Sequence, residues 1–145
     1  MPDDTTHAAV AAITALVFAY AERLDLGDLA GVAALFGPDA TYRSDRGTHR
    51  GGEAVLAVLR KRVRLHDGVP RTKHVTTNLV VEVDGAAAAA RSYFTVFQAT
   101  PALPLQPIVA GRYHDRFVRD AAGVWRFADR RILVDLVGDL REHLA

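Results

Sequence analysis

The sequence predicts an α+β fold in which helices come first and an antiparallel meander follows. Two observations carry this. Within the first 66 residues, apolar side chains recur at three- and four-residue steps in three separate blocks. From His74 onward the pattern changes to four strand-like runs, the first of them β-branched, separated by turn signals.

The first helix is expected over residues 4 to 26, where Val10, Ile13, Val17, Tyr20 and Leu24 form one stripe and Asp3, Asp4, Thr5 and Thr6 supply caps. Gly27 can end it. Asp28 can cap a short second helix with the stripe Leu29, Val32, Leu35 and Phe36, and Gly37-Pro38-Asp39 stops that helix. Ala40 to Arg43 reads as a short strand, and Ser44 to Gly52 as a polar, glycine-bearing loop. A third helix over 53 to 66 presents Val55, Leu59 and Val63, and Asp67-Gly68-Val69-Pro70 closes it.

The strand-like runs are the stretch from His74 to Asp84-Gly85, then Ala88 to Thr100, Ile108 to Arg119 and Val124 to Val137. Pro101 to Pro107 and Asp120 to Gly123 connect them as hairpins. Read with period 2, the first run puts Val75, Thr77, Leu79, Val81 and Val83 on one face. The other face carries His74, Thr76, Asn78, Val80 and Glu82. A sheet packed on one side and lining a cavity on the other would suit both, with His74 and Asn78 looking into the cavity.

At 145 residues, half of them hydrophobic, the chain reads as a single domain over 1–145 that buries a core without metals or disulfides. The absence of cysteine removes a thiol nucleophile and Cys-ligated zinc. A formal charge of +1 gives no electrostatic case for nucleic acid. The run Arg60-Lys61-Arg62 with Arg64 reads as a solvated helix face. The start Met-Pro-Asp-Asp is acidic, and no apolar run approaches the roughly 20 residues of a membrane span, so a soluble cytoplasmic protein is expected.

Four stretches carry a family resemblance: Tyr20-Ala-Glu-Arg-Leu-Asp-Leu-Gly-Asp28, Ala33-Ala-Leu-Phe-Gly-Pro-Asp-Ala-Thr-Tyr42, Gly111-Arg-Tyr-His-Asp-Arg-Phe117, and Trp125 with Arg130-Arg131. With the order of elements, they resemble the nuclear transport factor 2-like superfamily, in particular its SnoaL-like and scytalone dehydratase-like members. The resemblance implies a cone-shaped α+β barrel, with three N-terminal helices packed on a curved, mostly antiparallel sheet. It implies less about function, because that fold hosts dehydratases, isomerases, cyclases, epoxide hydrolases, dioxygenase small subunits and non-catalytic binders.

Residue by residue, the resemblance puts His74 where dehydratases of this kind keep a strand histidine, and Asp25 where they keep a carboxylate at the end of the first helix. Tyr20 precedes Asp25 by the interval seen in the bile-acid-type enzymes. Tyr42 falls where scytalone dehydratase has a tyrosine in its short first strand. Its second catalytic histidine has no counterpart, since Phe97, Gln98 and Ala99 occupy that region. Against ketosteroid isomerases, Tyr20 and Asp115 fall on the oxyanion pair, while Ser44, beside Asp45, falls on the general base. The Asp-Arg-Asp set of limonene epoxide hydrolase finds no place here.

The chemistry of these residues fits a cofactor-free site. An imidazole can move a proton in both directions, so His74 suits acid–base work, and Asp25 would orient it. A strand histidine satisfied in the core reads the same way from sequence. Five helical residues rotate by about 140°, so Tyr20 and Asp25 share a pocket only if the helix ends or distorts there. Tyr20 and Tyr42 could stabilise an enolate oxygen or simply fill the core. Asp115 would either pair with a cation, for which Arg131 is the candidate, or stay protonated. Phe36, Phe97, Tyr113 and Trp125, with Phe94, would build the core and line the cavity for a flat or polycyclic ligand.

No His/Asp/Glu spacing suits a metal and no glycine loop cradles phosphate, so neither metal nor cofactor is expected. Apolar residues on the outer sheet face predict a homodimer or homotrimer. The leading expectation is a dehydratase, isomerase or cyclase acting beside the carbonyl of a cyclic, polyketide- or steroid-like substrate. The alternative is a non-catalytic ligand-binding or assembly domain, dioxygenase small-subunit relatives included. An apolar pocket with His74 and Asp25 in hydrogen-bonding reach favours the enzyme, whereas a side-chain-filled barrel favours the binder.

Overall fold

In the computed structural model, which describes residues 3–145, helix α1 runs from Asp4 to Asp25. Its N-cap is Asp3, whose carboxylate accepts the Thr6 N–H at 2.7 Å. Ile13, Val17, Tyr20 and Leu24 are buried on one side. By length and composition alone this helix could cross a membrane, which corrects the expectation that no stretch comes close. In the fold its buried stripe instead packs on the sheet.

Helix α2 is Leu29–Ala33, and β1 follows over Phe36–Ser44. Gly37-Pro38-Asp39 therefore lies inside a strand and does not merely stop a helix. The expected loop over 44 to 52 holds a second strand, β2 (Gly47–Arg50), which folds back on β1 with Thr41 opposite Arg50. Helix α3 is Gly52–Arg62, four residues shorter than expected at its C-terminal end. Val63 turns extended there because its backbone bridges to Leu144 near the C-terminus.

Strands β3 (Thr72–Asp84), β4 (Ala87–Thr100), β5 (Leu103–Arg119) and β6 (Trp125–Val137) form the meander. The sheet has six strands in the order β2-β1-β6-β5-β4-β3, with β1 parallel to β6 and the other neighbours antiparallel. β5 starts five residues before the expected Ile108, and so takes up most of the proline-rich connection. Its first residues pair with β4, whereas β6 joins only from Val109, so Pro104 and Pro107 sit where one edge is unpaired.

Two irregularities invert the parity of the faces. At Asn78 the backbone turns left-handed (φ +54°) and the β3–β4 register slips between Thr77 and Val80. Val75, Thr77 and Val80 consequently face out, while Leu79, Val81 and Val83 pack toward the core. On β6 the pairing jumps from Phe127 to Asp129, which leaves Ala128 unmatched and turns Phe127 and Arg130 inward together.

Candidate functional site

The end of α1 and the start of β3 meet through Asp25 and His74. Asp25 Oδ1 lies 2.6 Å from His74 Nδ1 and accepts the Thr72 hydroxyl at 2.8 Å. Its Oδ2 accepts the His74 backbone N–H at 2.8 Å. Partial burial pushes the Asp25 carboxyl up, but the bonds and charge of His74, with Thr72, outweigh this and hold it below the usual carboxylate value. An ionised carboxylate only accepts, so the proton between the two sits on Nδ1 of His74. That leaves Nε2 as the nitrogen available to a ligand. A carboxylate in the last turn opposes the helix dipole, and three donors are what keep Asp25 there.

A cavity of about 340 Å³ opens beside this pair. Tyr20, Tyr42, Tyr113 and His74 line it, together with apolar side chains including Leu59, Phe94, Val96, Val109 and Ile132. Asp25 stands behind the His74 ring and does not line it. This resolves the helical-phase problem, because Tyr20 lines the cavity directly while Asp25 touches only the His74 side that faces away from it. The Tyr20 and Tyr42 hydroxyls are 2.8 Å apart. Two O–H groups share one mutual bond, so one donor remains for a ligand oxygen. Burial raises both phenols above their ordinary value; Arg130 partly offsets this at Tyr20, while the Tyr20 neighbour adds to it at Tyr42.

Beneath the tyrosines lies a fully buried ion pair. Arg130 Nε and Nη2 donate to the two Asp115 oxygens at 2.9 and 3.0 Å. Burial alone would lift the Asp115 carboxyl and depress the guanidinium, but both oxygens accepting from the fork make this a charged pair. Arg130 lies over the Tyr113 ring at 3.6 Å and the Tyr20 ring at 4.2 Å. The partner of Asp115 is therefore Arg130 and not Arg131, which is exposed on the outer face because of the slip at Ala128.

Several other sequence candidates also lie away from the cavity. Asn78 is exposed at its bulge. Phe97 is on the outer side of β4, next to the lining Val96. Trp125 is buried at the start of β6, with Arg119 over its ring. Phe36 backs the site without lining it, stacked on Phe127 at 4.9 Å and edge-on to Tyr42 at 5.7 Å. Asp115 is behind the tyrosine wall.

The sequence reading stopped at Val137 and so missed the C-terminal segment, which supplies Leu140, His143 and Leu144 to the cavity. Their spacing of three and then one residue was the available signal. The rim residues Arg46 and His49, from the β1–β2 turn and β2, were also missed because that hairpin read as a loop. Among the described residues, no three His, Cys, Asp or Glu side chains are grouped to hold a metal ion.

A family model described as SnoaL-like domain matches residues 5–131. A protein of unknown function from Mycobacterium tuberculosis is 32% identical over 94% of this chain and 78% of its own, with a TM-score of 0.78. A putative scytalone dehydratase from Novosphingobium aromaticivorans is 25% identical over 94% of this chain and 90% of its own, with a TM-score of 0.77. ActVI-ORFA from Streptomyces coelicolor, at 21% identity over 88% of this chain and 98% of its own, shares the fold with a TM-score of 0.74. No curated protein matches the chain.

Proposed function

The chain belongs to the SnoaL-like domain family, and from that premise we propose that it is a cofactor-independent dehydratase, isomerase or cyclase that moves a proton beside a substrate carbonyl. One observation carries the reading: a carboxylate-held histidine faces an apolar cavity that also presents a tyrosine hydroxyl pair. His74 Nε2 takes a proton from the carbon next to the carbonyl. The positive charge that forms is stabilised by Asp25 at the far nitrogen. The enolate oxygen receives the free O–H of the Tyr20–Tyr42 pair, so negative charge develops against a donor already in place. His74 then returns its proton to carbon for isomerisation, or to a departing hydroxyl for dehydration.

The cavity volume suits a mono- or bicyclic ketone, and its lining supports an apolar ring system. Exposed Val75, Val80, Tyr93 and Val118 on the outer sheet face support the proposal of a homodimer or homotrimer, which size-exclusion chromatography with light scattering would read directly.

The test is solvent deuterium exchange next to the carbonyl of cyclic ketones and β-hydroxy ketones, comparing wild type with His74→Ala. Exchange that collapses in the folded variant supports the reading. Exchange that survives removes His74 as the base. No exchange by wild type across the panel favours a binding module.

A further inference from the structure

His143 enters the cavity from the C-terminal segment, is 5% exposed, and has an Nδ1 sealed from solvent with no hydrogen-bond partner among the described residues. A buried imidazole nitrogen without a partner is costly unless something else is gained by putting the ring there. The segment is not loosely draped. Arg64 N–H donates to the His143 carbonyl and Ala145 N–H to the Arg62 carbonyl, both at 2.8 Å. The buried Gln98 amide donates to the Glu142 carbonyl at 2.9 Å, and Thr100 Oγ1 donates to Glu142 Oε1 at 3.0 Å. The chain therefore fixes the ring on both sides of its backbone and leaves both nitrogens without a partner among the described residues, with Nδ1 sealed and Nε2 the one a ligand can reach.

The ring stands edge-on to His74, with centroids 5.7 Å apart. The charged or titratable groups around it are His74 from β3, Asp25 behind it from α1, Arg62 from α3, which also lines the cavity, and Glu142 on its own segment. Two imidazolium ions at that separation would repel in a poorly solvated cavity, so only one of the rings can carry charge. Asp25 decides which, because its carboxylate is bonded to His74 and not to His143.

We propose that His143 is a second substrate-contacting residue, which stays uncharged and hydrogen-bonds a hydroxyl group of the substrate while His74 takes the charge. This deepens the reading above, on which it rests for the identity of the first oxygen. The site then binds a ligand with two oxygens, a carbonyl at the tyrosine pair and a hydroxyl beside His74. No proton leaves His143; its hydrogen bond holds the hydroxyl where protonated His74 can reach it. Burial and the nearby His74 hold its pKa down at about 4, which agrees with a neutral ring.

Phenol and toluene, similar in shape and differing by a hydroxyl, test this with 1-tetralone as a carbonyl probe. Binding and imidazole ¹⁵N signals would be followed in wild type, His143→Phe and His143→Gln. Phenol is expected to shift the His143 signal, and its affinity to fall about fivefold in His143→Phe. Toluene affinity should stay within twofold, and His143→Gln should recover phenol binding. The ¹⁵N shifts should report a neutral His143 from pH 8 to about 5.

A His143 signal unmoved by phenol, equal loss of phenol and toluene in His143→Phe, or protonation of His143 near pH 6.5 would each overturn the proposal. If 1-tetralone neither binds nor exchanges while the phenol results hold, the carbonyl reading fails and the hydroxyl contact stands. If 1-tetralone exchanges and phenol does not discriminate, the reverse is true.

Discussion

Asp25 grips His74 twice: Oδ1 lies 2.6 Å from Nδ1 of the ring and Oδ2 takes the backbone N–H of the same residue at 2.8 Å. One side chain therefore sets the tautomer, the ring plane and the position of the strand that carries it. Asp25→Asn keeps the shape but removes the charge and lets an amide NH₂ face Nδ1. Deuterium exchange of a responsive ketone should fall by about 10²–10³-fold, within the range of a lost acid–base partner. Urea denaturation should register a smaller stability loss of about 1–3 kcal/mol, because two further donors lose a charged acceptor.

His143 gives the fold an acid-sensitive element. Its proton binds near pH 4 in the folded chain and near 6.5 when unfolded. Between those values unfolding takes up a proton, so stability falls as pH drops from 6.5 toward 4 and is unaffected by this group at higher pH. The full difference is on the order of 3 kcal/mol. The difference in stability between wild type and His143→Gln, followed by thermal melts from pH 8 to 4.5, should change in that window and be flat above it.

The Asp115–Arg130 pair is buried on both sides, so removing one partner strands the other charge. Arg130→Met or Asp115→Leu alone should cost about 3–5 kcal/mol. The double variant should be less damaging than either single change, since no charge is left behind. Equilibrium unfolding of the four proteins gives the coupling directly.

How legible the molecule was follows from these residues. The helix-then-meander order could be read because α1 has an unbroken stripe, β3 is rich in β-branched residues, and turn signals separate the long strands β3 to β6. His74, Asp25 and Tyr20 could be placed because His74 precedes the Asn78 bulge on β3, Asp25 ends α1 and Tyr20 lies on its unbroken buried stripe, where local periodicity still holds. Errors gather downstream of the bulges. Period 2 assigns Arg131 and Asn78 inward only if no residue is skipped, and Ala128 and Asn78 each add one. The spacing of Leu140, His143 and Leu144 marks an apolar face, but where that face docks depends on Gln98, Arg62 and Arg64, far away in sequence.

The Asn78 bulge makes its own prediction. A left-handed φ of +54° suits asparagine or glycine and penalises a β-branched side chain. Asn78→Val should destabilise by roughly 1–2 kcal/mol, while Asn78→Gly should be near neutral. Neither should alter ketone exchange, because the side chain points to solvent. A large activity loss in stable Asn78→Gly would mean that the strand's path beyond His74 is tied to the site.

On the proposed reading the two tyrosines offer one donor between them. Their hydroxyls are 2.8 Å apart, and Arg130 lies over the Tyr20 ring, so replacing either leaves the other reoriented rather than absent. Tyr20→Phe and Tyr42→Phe should each lower exchange by about 10–10²-fold, with the larger loss in whichever hydroxyl faces the oxyanion. The double variant should lose far less than the product of the single effects, since the second change removes a group already disconnected from its partner. Independent, multiplicative losses would mean that the tyrosines contact different ligand atoms, and a binding pose with two separate oxygens at this wall would replace the shared donor.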